Sequence, residues 1–160
     1  GSNAFYNCSS FTGNLTIGDS VTSIGSNALG YCGFTGNLII PDSITTIGDN
    51  AFRNCPGFTG NLTIPDSVTN IGSSAFQYCS GFTGNLTISD SVTTIGIYAF
   101  HGCSGLTNIN AYVERSILDT SPNIFTGTSI TTLHARTTDD TWTEGVDNFG
   151  DITVTVIKDL

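Results

Sequence analysis

Basic residues are nearly missing from this chain: four Lys and Arg stand against 13 Asp and Glu, a formal net charge of −9, although only 11% of residues are charged. Neutralising phosphates requires clustered Lys and Arg, so no nucleic-acid partner is expected. Long apolar runs are missing too, which leaves nothing to span a bilayer, and no basic-then-apolar segment opens the chain as a secretory signal would. Histidine occurs only as His101 and His134, and the chain has neither a metal-binding H-E-x-x-H nor a G-x-S-x-G nucleophile turn. Its five cysteines never form the close C-x-x-C pairs that metal sites use. Neither an enzyme nor a cofactor or metal site is expected from such a composition.

What the chain has instead is repetition. The phrase F-T-G-N returns at Phe11, Phe34, Phe58 and Phe82, in steps of 23, 24 and 24 residues. Such a period marks a solenoid, in which each repeat is one coil that cannot bury its apolar face alone and successive coils share a continuous core. Leu15, Leu38, Leu62, Leu86, Ile109 and Leu133 form one apolar column. Ile17, Ile40, Ile64, Ile88, Ala111 and Ala135 form another, two residues on. This alternation predicts a short parallel strand with both columns inward. Turn residues follow, as in Pro41-Asp42-Ser43 and Pro65-Asp66-Ser67. A second extended piece carries inward Val21, Ile44, Val68 and Val92, then Ile24, Ile47, Ile71 and Ile95, each followed by glycine. The stretch Asn50–Cys55 and its equivalents are too short for a full helix, so a single helical or 3₁₀ turn is expected there.

Strand phrases begin at 11, 34, 58, 82, 106 and 130, six in all, and are expected to form one parallel sheet. Leu106–Ala111 is a residue shorter than the others, and the spacing slips between Tyr112 and Asn123, where the coil should bulge. Beyond Arg136 the pattern stops. Trp142 and the alternating Ile152–Ile157 suit a terminal cap with a β-strand, which gives an expected solenoid over 1–135 and cap over 136–160. Gly1–Phe5 aligns with Gly25–Leu29, so the first coil lacks its opening half. The chain is read as a piece of a longer protein, with self-association expected through that uncovered end.

The recurring columns L-x-x-L-x-I, P-D-S-V-T-x-I-G and A-F-x-x-C resemble the leucine-rich repeats of the BspA-like class, known from surface proteins of bacteria and some protozoan parasites. The likeness runs over residues 1–135. The departures are an extra residue in most strand phrases and Thr128 where the family often has Cys. The resemblance implies a right-handed leucine-rich-repeat solenoid of the α/β class, β-rich, with a parallel sheet on one face. It also implies an extracellular or cell-surface protein that binds host proteins or other cells. It names no ligand, because repeat folds present many different surfaces.

Binding is sought on ladders of equivalent residues. Asn14, Asn37, Asn61, Asn85 and Asn108, then Thr132, form one outward column; Thr16, Ile39, Thr63, Thr87, Asn110 and His134 form the other. Two readings stand open: a flat hydrogen-bonding contact surface with rungs ~5 Å apart, or ladders that only stabilise the sheet. Ile97, Tyr98 and His101 break the repeat, either as a contact patch or as packing beneath 112–123. Cys8, Cys32, Cys55, Cys79 and Cys103 are expected to be reduced and buried, because parallel side chains hold their Cβ atoms a coil apart. Asp19, Asp42, Asp66 and Asp90 are expected to fold back onto their own turns, a bridging cation being the alternative. Asn-x-Ser/Thr matches such as Asn61-Leu62-Thr63 are read as by-products of the repeat. These features favour a non-enzymatic module that binds a protein or glycan of a host or neighbouring cell. A structural spacer is the alternative, and a hydrolase cap around Trp142, Glu144 and Asp147 is a third reading.

Overall fold

Two sheets run along the stack in the computed structural model, which describes residues 1–119, 121–136, 140–149 and 152–159. In chain order the elements are β1 (Ser23–Ile24), β2 (Gly36–Asn37), β3 (Thr46–Ile47), β4 (Phe58–Ile64), β5 (Asn70–Ile71), β6 (Phe82–Ile88), β7 (Thr94–Ile95), β8 (Leu106–Ala111), α1 (Arg115–Asp119), β9 (Thr132–Ala135), β10 (Gly145–Phe149) and β11 (Ile152–Lys158). The strand phrases build the larger sheet in the order β10-β11-β9-β8-β6-β4-β2, and the second extended piece builds a smaller one, β1-β3-β5-β7. All pairs are parallel except β10 with β11. The chain is therefore a β-rich solenoid with one five-residue helix.

The Leu and Ile columns hold direct register, with Leu62 beside Leu86, Ile64 beside Ile88 and Ile109 beside Leu133. Upstream the phrases pair out of step: Gly60 faces Phe82 and Gly84 faces Leu106, and a bulge at the Gly-Asn step restores the register. Five of the six phrases form strands. Residues 11–17 do not, and Val21, expected inward, is exposed. Val21 is exposed because no coil packs against it from the amino-terminal side in the structure.

The turn region differs from expectation in kind. Residues 50–55 contain no helical residue. Ala51 and Arg53 donate back to the carbonyls of Gly48 and Asn50, at 3.2 and 3.1 Å, as β-turns do. The alternate amides, Asn50, Phe52 and Asn54, donate instead to Ser73, Ala75 and Gln77 of the next coil at 2.9, 2.8 and 2.7 Å. Half of the amides thus leave the coil, which a 3₁₀ helix forbids. To aim them outward the backbone enters the left-handed region at Asn50 and Asn54, both with φ 55°. Asparagine tolerates this conformation better than most residues.

Inside, aromatic rings stack from coil to coil. Phe52, Phe76, Phe100 and Phe125 lie nearly parallel, with centroids 5.2, 5.5 and 5.8 Å apart, and Phe58 and Phe82 form a second stack set edge-on to the first. Each buried cysteine donates its S–H to a carbonyl of the coil before: Cys32 to Phe5 O (3.0 Å), Cys55 to Leu29 O (3.1 Å), Cys79 to Phe52 O and Cys103 to Phe76 O (both 3.0 Å). All five cysteines are free thiols, with Cys8 only half-buried. At Gly105 a Cβ would lie 1.9 Å from the Phe82 carbonyl oxygen, so the backbone here approaches its neighbour too closely for any side chain.

The slip expected at 112–123 is a short helix. Leu118 of α1 and the preceding Val113 are buried, and Ser121 Oγ donates to Ile95 O at 2.9 Å, covering the end of the small sheet. Trp142 is buried, with Nε1 3.4 Å from Val113 O. Beyond β9, β11 joins in parallel and β10 folds back antiparallel on it. Residues 137–139, 150, 151 and 160 of the expected cap lie outside the described residues.

Burial raises the thiol pKa of Cys55 from 9.0 to about 11 and that of Cys103 to about 12, and pushes Cys79 well up. The unfolded chain ionises these thiols near 9 and the folded chain does not, so above that pH the unfolded state binds fewer protons and stability falls. Urea midpoints are expected to be level from pH 7 to 8.5 and to drop steadily between pH 9 and 11, with Cys103 blocked from maleimide until the chain unfolds. A flat profile through pH 10.5 would show that the thiols are not shielded.

Candidate binding surfaces

On the strand face the Asn column spends its hydrogen bonds within the stack. Asn61 Oδ1 accepts from the Asn85 amide at 3.0 Å, and Asn85 Oδ1 accepts from Asn108 Nδ2 at 3.1 Å. The glycine that precedes each asparagine makes room for this. A Cβ at Gly36 would sit 2.4 Å from Asn14 Oδ1, at Gly60 3.2 Å from Asn37 Oδ1 and at Gly84 2.6 Å from Asn61 Oδ1. Positive φ at Gly36, Gly60 and Gly84 independently requires glycine.

The neighbouring column is less uniform. Thr16 and Thr63 are exposed and Thr87 half-buried, accepting from Asn110 Nδ2 at 3.4 Å. Ile39 breaks the column and is 67% exposed, above a shallow groove of about 580 Å³ lined by Asn37, Asp42, Asn61 and Pro65. His134 Nδ1 lies 2.9 Å from Asp159 Oδ1. Asp19, Asp42 and Asp66 are exposed and make no hydrogen bond to their own turns; Asp90 is held instead by Arg136 at 2.7 Å. The expected fold-back is therefore not how this column is stabilised. Of the residues considered for hydrolytic chemistry, Asp147 is tied to Arg115, Glu144 accepts from the Lys158 amide at 3.4 Å, and Trp142 is buried.

The turn ridge is different again. Tyr78 and Tyr98 both stand edge-on to His101 with centroids 5.4 Å away, and Ile97 beside them is exposed. The structure thus brings Tyr98 and His101 together, and adds Tyr78 from the previous coil. Farther along the ridge Tyr31 packs against Tyr6 at 5.6 Å and under the guanidinium of Arg53 at 5.9 Å. The signal for Tyr31 and Tyr78 was present in the sequence: a large ring where Asn7 and Asn54 stand in other coils. Alignment alone does not show that each ring lies toward the next coil.

The sequence matches the family described as BspA type leucine rich repeat region (6 copies) over residues 1–128 and again over 82–146. This chain belongs to the BspA-type leucine-rich repeat family. A solved leucine-rich repeat protein from Bacteroides ovatus ATCC 8483 is 21% identical, with a TM-score of 0.47. The match covers 84% of this chain and 52% of that one, so the BspA-type chain spans about half of its length. No curated protein matches the sequence. Among the described residues no helix is long and apolar enough to cross a membrane.

Replacing Asn61 by Ala removes the acceptor for the Asn85 amide, an exposed sheet-face bond worth about 1 kcal/mol. Chemical denaturation should register that loss. Asn14→Ala, at the end of the ladder, should cost less, and equal costs would show that the ladder is not cooperative along the stack.

Proposed function

We propose that this chain is a non-enzymatic binding module of a surface-associated protein, which adheres to a protein or glycan of a host or neighbouring cell. Membership of the BspA-type family supports an interaction or repeat module at the coarse level, and proteins of this family are typically surface-associated. The observation that carries the finer reading is the contrast between two faces. The Asn ladder satisfies itself, whereas the turn ridge gathers Tyr78, Ile97, Tyr98 and His101, with Ile97 and Tyr98 standing where other coils carry Ser, Asn or Asp. Exposed aromatics grouped on a rigid scaffold are the usual anchors of an interface.

Labelled chain incubated with whole cells and with immobilised matrix proteins and glycans tests the reading. Ile97→Ser combined with Tyr98→Asn should lower binding at least about tenfold, as loss of a hot spot does, while Ile39→Thr on the strand face leaves it within about twofold. A structural spacer, the alternative that the self-satisfied ladder favours, predicts no saturable binding to any of these surfaces.

The first coil supplies a second contact. Phe5, Phe11 and Val21 are 48%, 43% and 38% exposed, and Phe5 and Val21 line an apolar recess of about 230 Å³ with Leu15, Ile17 and Ile24. Copies of the chain are expected to meet through this recess. Sedimentation velocity over a concentration series should show association that Val21→Asp abolishes; association that survives the substitution would move the contact to Ile97 and Tyr98.

A further inference from the structure

Three tyrosines occupy backbone positions that suit them badly. Tyr31, Tyr78 and Tyr98 have φ of 60°, 61° and 60°, the left-handed region in which bulky side chains are strained. The repeat has less strained solutions at the same places. Asn7, Asn54 and Gly102 share the column of Tyr31 and Tyr78, and Asn27 and Asn50 share that of Tyr98. The turn itself does not require a ring at any of them, since Asn and Gly hold the same backbone in other coils, and strain kept where the repeat offers less strained residues points to a surface kept for contact.

The rings are spaced along one line. A Cβ at Gly102 would lie 2.5 Å from one edge of the Tyr78 ring, so that ring reaches over the next coil with 45% of Tyr78 exposed. Tyr31 is backed by Arg53 in the same way. Among the described residues Arg53 forms no ion pair with a carboxylate. Its partners are the Tyr31 ring and Asn50 Oδ1 at 3.5 Å, and its Nε is buried without a hydrogen bond, whereas Arg115 and Arg136 are neutralised by Asp147 and Asp90.

Tyr31 and Tyr78 stand in one column two coils apart, and coils are spaced like neighbouring strands, so the rings recur after roughly 9.5 Å. A polyproline II chain turns once in three residues at ~3.1 Å each, or about 9.3 Å, and leaves its carbonyls free. We infer that the ridge binds a proline-rich partner segment in the polyproline II conformation, with prolines three residues apart on Tyr31 and Tyr78 and an acidic residue between them on Arg53. The aromatic platform takes a chain that is already ordered, which limits the entropy lost on binding. The unneutralised guanidinium supplies the complementary charge. The inference rests on the binding-module reading and specifies its partner.

The test uses fluorescein-labelled (Pro-Glu-Ser)₅ and reads anisotropy at about 0.15 M salt, which screens the chain's net charge of −9 beyond about 8 Å. The controls are (Pro-Lys-Ser)₅ and a composition-matched peptide with its prolines adjacent. The first peptide should bind saturably and at least about tenfold more tightly than either control. Tyr31→Asn and Tyr78→Asn should each weaken it about tenfold, and Arg53→Gln should remove the preference for Glu over Lys. These substitutions install residues that the repeat already uses at Asn54 and Gln77, and the tyrosine variants should melt no lower than the parent because strain is relieved. Absence of saturable binding, or binding indifferent to Tyr78→Asn, overturns the inference. If the peptide fails while Tyr78→Asn still lowers binding to cells, a different ligand occupies the ridge, and the binding-module reading stands without this partner.

Discussion

Alternate amides of the turns between Asn3 and Gly102 donate across the gap to the next coil, and the rest of the structure follows from that commitment. A coil that sends half of its turn amides to a neighbour cannot satisfy them by itself, so one repeat has no stable existence apart from the stack. It must also reverse its backbone sense twice within a few residues, which accounts for the left-handed asparagines at Asn27, Asn50 and Asn54. Coil spacing is then fixed by hydrogen-bond length, and no side chain can intrude where backbones meet. The glycines at Gly57, Gly81 and Gly105 mark those meeting points.

Packing inside the stack is arranged to the same spacing. Phenylalanine rings lie parallel at 5.2 to 5.8 Å, close to one coil's rise, so a ring in any coil finds its partner above and below without further adjustment. The cysteines resolve a polar problem within this apolar space. Each thiol is small enough to be buried and carries one weak donor, which meets the carbonyl of the preceding Phe or Leu. An alanine would leave that carbonyl with one acceptor site fewer filled, and a serine would bury an oxygen, a stronger acceptor than sulfur, with nothing to accept from.

Much of this was legible in the sequence because a repeat shows its register directly. The apolar columns identified the inward faces at Leu62, Ile64, Val68 and Ile71, all buried, and the second extended piece is the smaller sheet. What escaped was whatever depends on the gap between coils. Ala-Phe between short polar residues reads as a helical turn when only one coil is considered, and it becomes a pair of β-turns once its amides must reach the neighbouring carbonyls. The bulge at the Gly-Asn step was hidden for the same reason, since alignment pairs Phe with Phe whereas the backbone pairs Gly60 with Phe82. On the ridge, the identity of Tyr31 and Tyr78 was plain, but their strained φ is a property of the backbone alone.

The single tryptophan sits outside the phenylalanine stacks, buried beside Val113 and under the guanidinium of Arg115. Its emission therefore reports on the carboxy-terminal region and is blind to the coils, whose own aromatic residues are phenylalanine and tyrosine. Two optical signals in one chain thus belong to two regions of a quasi-one-dimensional molecule. Comparing them during unfolding distinguishes a stack that opens from one end from a stack that opens all at once.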